Sequence, residues 1–291
     1  MRVLIIGGNG FVGRRLSRAL SRDPDIELHV LNRSGKVDGA DRVHLHAGNR
    51  NSLAASGVAD GFDTVVDFVC FTEQQADEAA AYFATAGRYI LISTMSVYDG
   101  GAALTEDAFD AATFDLAAPP RRDHPAEAYG DGKRRAEAVL VQRARFPSVA
   151  VRFPFILGPD DYTKRLAFHV ERIASGKPLH VPNAEARISF VHSGDAAEFL
   201  GWCLRSGFAG PANVASPDPI SLGALVAEIE SVVGRRMVTA DGPSDDTFSP
   251  YGVDADFFVS TARVEAAGFR ARPLRDWLPA LIAEIAANAS R

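Results

Sequence analysis

A cluster of glycines set between a short apolar strand and a helix constrains this chain more than any other feature. Arg2-Val3-Leu4-Ile5-Ile6 is an apolar run, Gly7-Gly8-Asn9-Gly10-Phe11-Val12-Gly13 follows without a gap, and Arg14 to Leu20 has helical character. A strand, glycine turn and helix in this order let the free N–H groups of a helix N-terminus face a phosphate. The turn reads as Gly8-x-Gly10-x-x-Gly13 or as Gly7-x-x-Gly10-x-x-Gly13, and the two frames share Gly10 and Gly13. Either frame asks the backbone to turn sharply, approach a pyrophosphate and pack helix against strand. Phe11 and Val12, between the glycines, are expected at the same dinucleotide site. The competing account is a glycine-rich turn without a ligand, but the position directly on a strand-to-helix junction favours binding.

The next strand, Glu27–Leu31, ends at Asn32-Arg33-Ser34. A site selective for NAD places Asp or Glu about 20 residues beyond the glycines, where it accepts from the ribose 2′-hydroxyl. Asn32 and Arg33 stand there instead, with Lys36 close behind. A guanidinium binds a 2′-phosphate bidentately whereas a carboxylate repels it, so the residues favour NADP(H), with NAD(H) the alternative. Further strands are expected at Arg42–His46, leading to Asn49, at Thr64–Val69, at Arg88–Ile92 and at Ser148–Arg152, which Pro154 ends. A helical, Ala-rich stretch runs from Glu73 to Ala86. Short, nearly continuous apolar strands separated by helices indicate a parallel sheet covered on both faces. Ligands of such sheets bind at the carboxyl ends of the strands. Gly7–Gly13, Asn32–Ser34, Phe68–Phe71 (with Val69) and Ser93–Ser96 are therefore expected to face one crevice.

Charge and composition narrow the function classes. With a net charge of −6 the chain has no electrostatic footprint for nucleic acid. No apolar run approaches the roughly 20 residues that span a bilayer, so no membrane partner is expected. Cys70 and Cys203 lie far apart in apolar segments and read as reduced core residues of a cytoplasmic protein. Nothing at the N-terminus resembles a signal peptide. The seven histidines read as scattered, with no metal-ligand cluster.

Asp99 to about Pro125 breaks the pattern and is expected to be a long loop, either a lid beside the site or an uninvolved surface segment. Beyond it, Tyr129 and Lys133 are four residues apart, which places them on one face of a helix. A phenol with a free value near 10 is a poor acid-base group at neutral pH, and a nearby ammonium favours its ionised form. Gly130 and Gly132 each cost roughly 1 kcal/mol in helix propensity relative to Ala, so this helix is expected to be locally soft.

Taken together, the glycine turn, Leu91-Ile92-Ser93-Thr94-Met95-Ser96-Val97-Tyr98, the Tyr129/Lys133 pair, Val151–Pro159 and Ile188–Asp195 resemble, in order and spacing, the short-chain dehydrogenase/reductase superfamily. The likeness is to its extended and atypical NAD(P)-dependent epimerase/dehydratase type. It implies a Rossmann-type doubly wound parallel sheet, formed by residues 1–153 with 187–211, and a smaller C-terminal substrate lobe, formed by 154–186 with 212–291. It further implies that Tyr129 is the general acid/base and that Lys133 holds the nicotinamide ribose and lowers the tyrosine value. Thr94, with Ser93 the neighbouring candidate, would orient the substrate oxygen. Asn49 stands where relatives often carry an Asp that reads the adenine. The resemblance also implies a homodimer formed through two helices per subunit, and a segment, Ile188–Leu204 (strand at Ile188–Val191, helix at Ala196–Leu204), that returns to the main sheet.

In the C-terminal third, Arg187 is a candidate for a substrate phosphate and His192 reads chiefly as a core histidine. Ser221–Gly234 has the spacing of a helix with Ser221 as N-cap and Gly234 as stop, and Leu274–Ala287 that of a final amphipathic helix. The reading favoured by the sequence is an NADP(H)-dependent oxidoreductase that transfers hydride to or from a C=O/C–OH carbon of a small-molecule substrate. The first alternative is a nucleotide-sugar epimerase or dehydratase with tightly bound NAD. The second is a cofactor-sensing or RNA-binding relative without turnover.

Overall fold

The alternation of apolar runs and helical stretches folds as a doubly wound α/β structure. The computed structural model describes residues 1–121 and 124–289. The first half contains β1 (Arg2–Ile6), α1 (Phe11–Leu20), β2 (Glu27–Asn32), β3 (His44–Ala47), β4 (Thr64–Asp67), α2 (Glu73–Tyr82) and β5 (Tyr89–Thr94). It continues through β6 (Gly101–Leu104), α3 (Pro125–Gln142), β7 (Ser148–Phe153), β8 (Phe155–Leu157), α4 (Arg165–Ser175) and β9 (Pro178–Leu179). Then come β10 (Arg187–Ile188), β11 (Phe190–His192), α5 (Ser193–Arg205), β12 (Gly210–Asn213), β13 (Ile220–Ser221) and α6 (Leu222–Val233). The chain closes with β14 (Val238–Thr239), β15 (Phe257–Val259), α7 (Ala262–Ala266) and α8 (Leu278–Ala289).

Seven strands form the central sheet in the order β12-β7-β5-β4-β1-β2-β3, and every pairing is parallel. The order reverses between β1 and β4, where a crevice opens beyond the carboxyl ends of the strands. Because both faces are covered, β1 and β4 bury residues on both sides, as their unbroken apolar runs require. Val12, Leu16 and Leu20 of α1 join Phe199, Leu200 and Cys203 of α5 on one face. Ala76 and Ala79 of α2 join Ala136, Val139 and Leu140 of α3 on the other. A third apolar cluster gathers α4, α6 and α8 around Leu166, Ile173, Leu225 and Leu281.

Several boundaries moved for local reasons. The fourth strand stops at Asp67, two residues before the expected end, because the Asp67 carboxylate accepts the Val69 N–H at 2.8 Å and turns the chain. Segment 188–191 does not return to the main sheet. β10 pairs with β13 and β15, β11 pairs with β8, and α5 alone carries the chain back, against α1. The sheet is instead completed by β12. In the C-terminal third the Ser221 hydroxyl caps α6 by accepting from Ala224 N–H, and Gly234 ends it at φ +73°.

The loop expected from Asp99 to Pro125, of which residues 122 and 123 lie outside the described residues, holds more order than its composition suggests. β6 pairs in parallel with β15, and the segment after it is pinned to α3. Gln142 donates to the Ala111 and Phe114 carbonyls, both at 2.9 Å, and Arg135 donates to the Leu116 and Ala118 carbonyls. Residues 111–118 brace the outer side of α3, and none of the segment's described residues lines either cavity of the crevice. Among the described residues no helix is long and apolar enough to cross a membrane.

Candidate active site

The four glycines of the first turn meet four different demands. Gly7 takes φ +84°, which a side chain rarely adopts. A Cβ on Gly8 would sit 2.8 Å from both Ser17 Oγ and Val30 Cγ1, so this glycine lets α1 close on β2. One on Gly13 would lie 2.8 Å from the Gly7 carbonyl oxygen, so the helix packs directly on the turn. A Cβ on Gly10 would meet only Gly7 O, at 3.6 Å, which leaves that face open to a ligand. Both frames read from the sequence are therefore in use. Gly10 caps α1 with no side-chain hydrogen bond, and the first N–H groups of the helix have no capping partner. Asn9 lines the same cleft, and its Oδ1 is buried without a partner. An orphaned polar atom, free helix N–H groups and an open glycine face together fit the pyrophosphate of a dinucleotide.

From the turn a cleft of about 730 Å³ runs over the ends of β2 and β3, lined by Asn32, Arg33, Ser34, Asn49 and Asn51. Asn32 Nδ2 donates to the Lys36 carbonyl and Ser34 Oγ to Asn32 Oδ1, both at 2.9 Å, which shapes the loop after β2. Arg33 is exposed, and among the described residues its guanidinium has no hydrogen-bond or ion-pair partner. Asn49 caps the following turn by accepting from Asn51 N–H at 3.1 Å. Beneath this floor the buried Arg50 guanidinium bridges Asp67 at 2.9 Å and Glu78 at 3.0 Å, and Tyr89 donates to Asp67 at 2.6 Å. Sequence reading missed this network, because only the tertiary pairing of β4 with β5 and the fold of α2 bring its members together.

A second cavity, about 280 Å³, continues from the first past Gly7, Gly10 and Val69. Phe11, Val12, Gly13, Phe68, Ser93, Thr94, Tyr129 and Lys133 line it, so the structure brings these expected site residues together. Gly130 and Gly132 explain how. A Cβ on Gly130 would stand 2.4 Å from the Ser96 carbonyl oxygen, and one on Gly132 would stand 2.4 Å from that of Phe71. The two glycines let α3 lie directly against the chain leaving β4 and β5, and so seat Tyr129 and Lys133 in the crevice. The expected local softness is thus answered by close packing of helix on backbone.

Lys133 is 1% exposed, and its Nζ donates to the Cys70 carbonyl at 2.7 Å and the Ile92 carbonyl at 2.6 Å. One of its three N–H donors is left over. Burial pulls its value down from 10.5 to about 8, against the opposing pull of Cys70, Asp67 and Glu137. Nζ lies 4.4 Å over the Phe71 ring and 6.0 Å from the Tyr129 ring centroid. The Tyr129 phenol itself is raised above 10, because burial around the hydroxyl disfavours the phenolate, while a hydrogen bond with Thr94 works the other way.

The two hydroxyl candidates on β5 part company. Ser93 Oγ donates to the buried Glu137 carboxylate, which also holds the fully buried Arg152 at 2.7 Å. Thr94 stands by Tyr129 and accepts from Ser96 N–H at 3.1 Å. Phe71, within the expected Phe68–Phe71 strand end, and the 79% exposed Tyr162 border both cavities. Tyr162 escaped the sequence reading, since it carries no local signal; the neighbouring Asp160 is tied to Arg14 and Arg15 of α1. Arg187 is elsewhere, paired with Asp256 at 2.7 Å, and His192 caps α5 by accepting from Gly194 N–H at 3.0 Å.

Comparison with known proteins places this geometry. The structure superposes on UDP-glucose 4-epimerase of Thermus thermophilus in complex with NAD, with a TM-score of 0.71, 17% identity, and 100% and 99% of the two chains covered. For UDP-glucuronic acid 4-epimerase of Bacillus cereus in complex with NAD the TM-score is 0.72 at 16% identity, over 99% and 100% of the chains. UDP-glucose 4-epimerase of Thermotoga maritima with UDP-glucose gives 0.72 at 14% identity, with both chains fully covered. At such identities the likeness is one of fold. A curated relative, the chloroplast stem-loop binding protein of 41 kDa b of Arabidopsis thaliana, is 26% identical over 83% of this chain, which spans 61% of that relative's length. The family model described as NAD dependent epimerase/dehydratase matches residues 3–215, well over half of the sequence, and the protein belongs to that family.

Proposed function

We propose that the protein is an epimerase or dehydratase that uses a bound nicotinamide dinucleotide to oxidise a hydroxyl-bearing carbon of a nucleotide sugar and to reduce it again within one turnover. The observation that carries this reading is the convergence of Tyr129, Lys133 and Thr94 on the cavity that opens from the glycine turn. Family membership, and the nucleotide-sugar epimerases that share the fold, support this alternative over the NADP(H)-dependent reductase that the sequence favours.

Gly7, Gly10 and the first turn of α1 would hold the pyrophosphate, the Asn32–Ser34 and Asn49 segments the adenosine, and Lys133 the nicotinamide ribose through its remaining N–H. The nicotinamide, when bound, supplies a reversible hydride acceptor. Thr94 orients the substrate oxygen, and Tyr129 takes up the hydroxyl proton as the carbon is oxidised and returns it on reduction. The phenol, raised above its ordinary value, rests protonated and would take up the substrate proton only as the phenolate, after giving its own proton to solvent, a loss that positive charge beside it favours. Phe71 and Tyr162 border the reacting centre.

Mass spectrometry of the nucleotide released from purified protein, with chromatography of products from a panel of UDP-sugars, tests the proposal. Bound NAD and sugar interconversion without net change at 340 nm are expected. Stoichiometric consumption of NADPH with a carbonyl substrate would overturn it. One observation favours that second reading: Arg33 is an unpaired cation at the mouth of the cleft, where a 2′-phosphate would sit. We also infer a two-part organisation, 1–153 with 187–211 and 154–186 with 212–291, in which β10 and β11 pair with strands of the second part while α5 and β12 pack on the first. Two buried free thiols support a cytoplasmic setting.

A further inference from the structure

Three of the seven histidines, far from scattered, meet at the outer edge of the central sheet. In-register parallel pairing sets His29 of β2 opposite His44 of β3, and Leu31 opposite His46. Alternate residues of a strand share a face, so Glu27, His29, His44 and His46 stand on the same side. The His29 ring stacks on both neighbours, 4.5 Å from the His44 centroid and 5.2 Å from that of His46. His29 is 8% exposed, whereas Glu27 and His44 are open to solvent. Both of its ring nitrogens are engaged: Nδ1 lies 2.9 Å from His46 Nε2, and Nε2 lies 2.9 Å from Glu27 Oε1. One ligand atom each from Glu27, His29 and His44 falls within 4.8 Å of the other two.

The geometry points to a divalent transition-metal site built from Glu27, His29 and His44, with His46 as the outer partner that fixes the ring of His29. Two ring nitrogens 2.9 Å apart share one proton. With that proton on His29 Nδ1, donating to His46, the Nε2 lone pair of His29 confronts a carboxylate oxygen at 2.9 Å. Two lone pairs at that distance repel unless a cation, a proton in the other tautomer or a metal ion, lies between them. A histidine that binds metal through one nitrogen and donates its other N–H to a fixed acceptor is the usual arrangement of a protein metal site, and His46 supplies the acceptor. Two imidazoles and a carboxylate, with room for water, suit zinc, nickel or copper and do not suit calcium or magnesium. Metal–ligand bonds of about 2.0–2.2 Å place neighbouring ligand atoms about 3.0–3.5 Å apart, so Glu27 Oε1 keeps or slightly widens its 2.9 Å from His29 Nε2 while the His44 ligand atom, within 4.8 Å, draws in to the same range. The exposed Glu27 and His44 side chains can make these shifts by rotation while the buried His29 stays fixed. The competing cation at Glu27 is Arg2, whose Nε is 3.4 Å from Oε1 and whose Nη1 also donates to the Gly61 carbonyl at 3.1 Å. The metal would clip β3, the last strand of the sheet, to β2. The carboxyl ends of both strands line the nucleotide cleft, so occupancy would stiffen that wall.

The test uses tag-free full-length protein stripped with EDTA, titrated with zinc chloride at neutral pH against a chromogenic chelator. Wild type should take up one equivalent of zinc and show a higher thermal midpoint with it. His44→Ala and Glu27→Gln, both at exposed positions, should each weaken zinc binding about 10-fold or more and abolish the thermal shift. His180→Ala, remote from the cluster, should bind as wild type does. No zinc uptake by wild type would overturn the proposal and leave a proton alone between His29 and Glu27. Unchanged affinity in both His44→Ala and Glu27→Gln would overturn it as well.

Discussion

Gly132→Ala offers the sharpest test of how this site is assembled, because helix propensity and tertiary packing make opposite claims about it. On propensity alone the substitution stabilises α3 by roughly 1 kcal/mol. In the structure the new Cβ would stand 2.4 Å from the Phe71 carbonyl oxygen, where ordinary contact begins at 3.4 Å. The helix must therefore retreat by about 1 Å from the backbone leaving β4, at an overpacking cost of about 1–3 kcal/mol. The two effects nearly offset, so the net loss of stability should be small, about 0–2 kcal/mol. Catalysis has no such compensation. Lys133 is the next residue, and its bonds to the Cys70 and Ile92 carbonyls, 2.7 and 2.6 Å, would stretch beyond hydrogen-bonding range. A misplacement of about 1 Å at a reacting centre costs on the order of 100-fold in rate. Thermal melts, dinucleotide affinity and turnover on the UDP-sugar panel should be measured together. Gly201→Ala serves as the control, because a Cβ there meets nothing within 4 Å and should raise stability by up to about 1 kcal/mol. Turnover of Gly132→Ala within a few-fold of wild type would refute the claim that glycine-permitted contact seats the catalytic helix.

Tyr129→Phe should keep dinucleotide affinity and lose most turnover, at least about 100-fold, read by product chromatography. Gly13→Val should abolish dinucleotide binding, because its side chain starts 2.8 Å from the Gly7 carbonyl oxygen; fluorescence titration with NADH reads this directly. Arg33→Ala should weaken NADPH about 10-fold or more relative to NADH if the free guanidinium meets a 2′-phosphate, and equal effects on the two would count against that role. Lys133, held at about 8 in the fold, gives up its proton at lower pH than in the unfolded chain. The unfolded state then binds more protons between about pH 8 and 10.4, so the contribution of this group to stability rises with pH across that window, by at most about 3 kcal/mol. Urea midpoints of wild type minus those of Lys133→Met should climb through that range, and a flat difference would contradict the burial of a charged amine.

The strand–turn–helix at the N-terminus, the parallel alternation and the Tyr129/Lys133 pair were legible because each is a local pattern with a local physical cause. A glycine turn, an apolar strand and an i,i+4 helix pair need no distant partner to be recognised. The Ser221 cap and the Gly234 stop belong with them. What local pattern misjudged was the meaning of residues whose partners lie far along the chain. Gly130 and Gly132 read as a weak point in a helix, although the carbonyls of Ser96 and Phe71 make them necessary.

The sequence by itself determined a glycine turn at the head of a parallel α/β sheet, with a tyrosine and a lysine on one face of a later helix. Only the tertiary structure decided which hydroxyl stands beside that tyrosine, that residues 111–118 brace α3, and that three histidines share one edge. The physical reason is that hydrogen bonding and burial depend on distance in space. Register between β2 and β3, or the approach of α3 to β5, fixes those distances with no trace in the spacing along either segment.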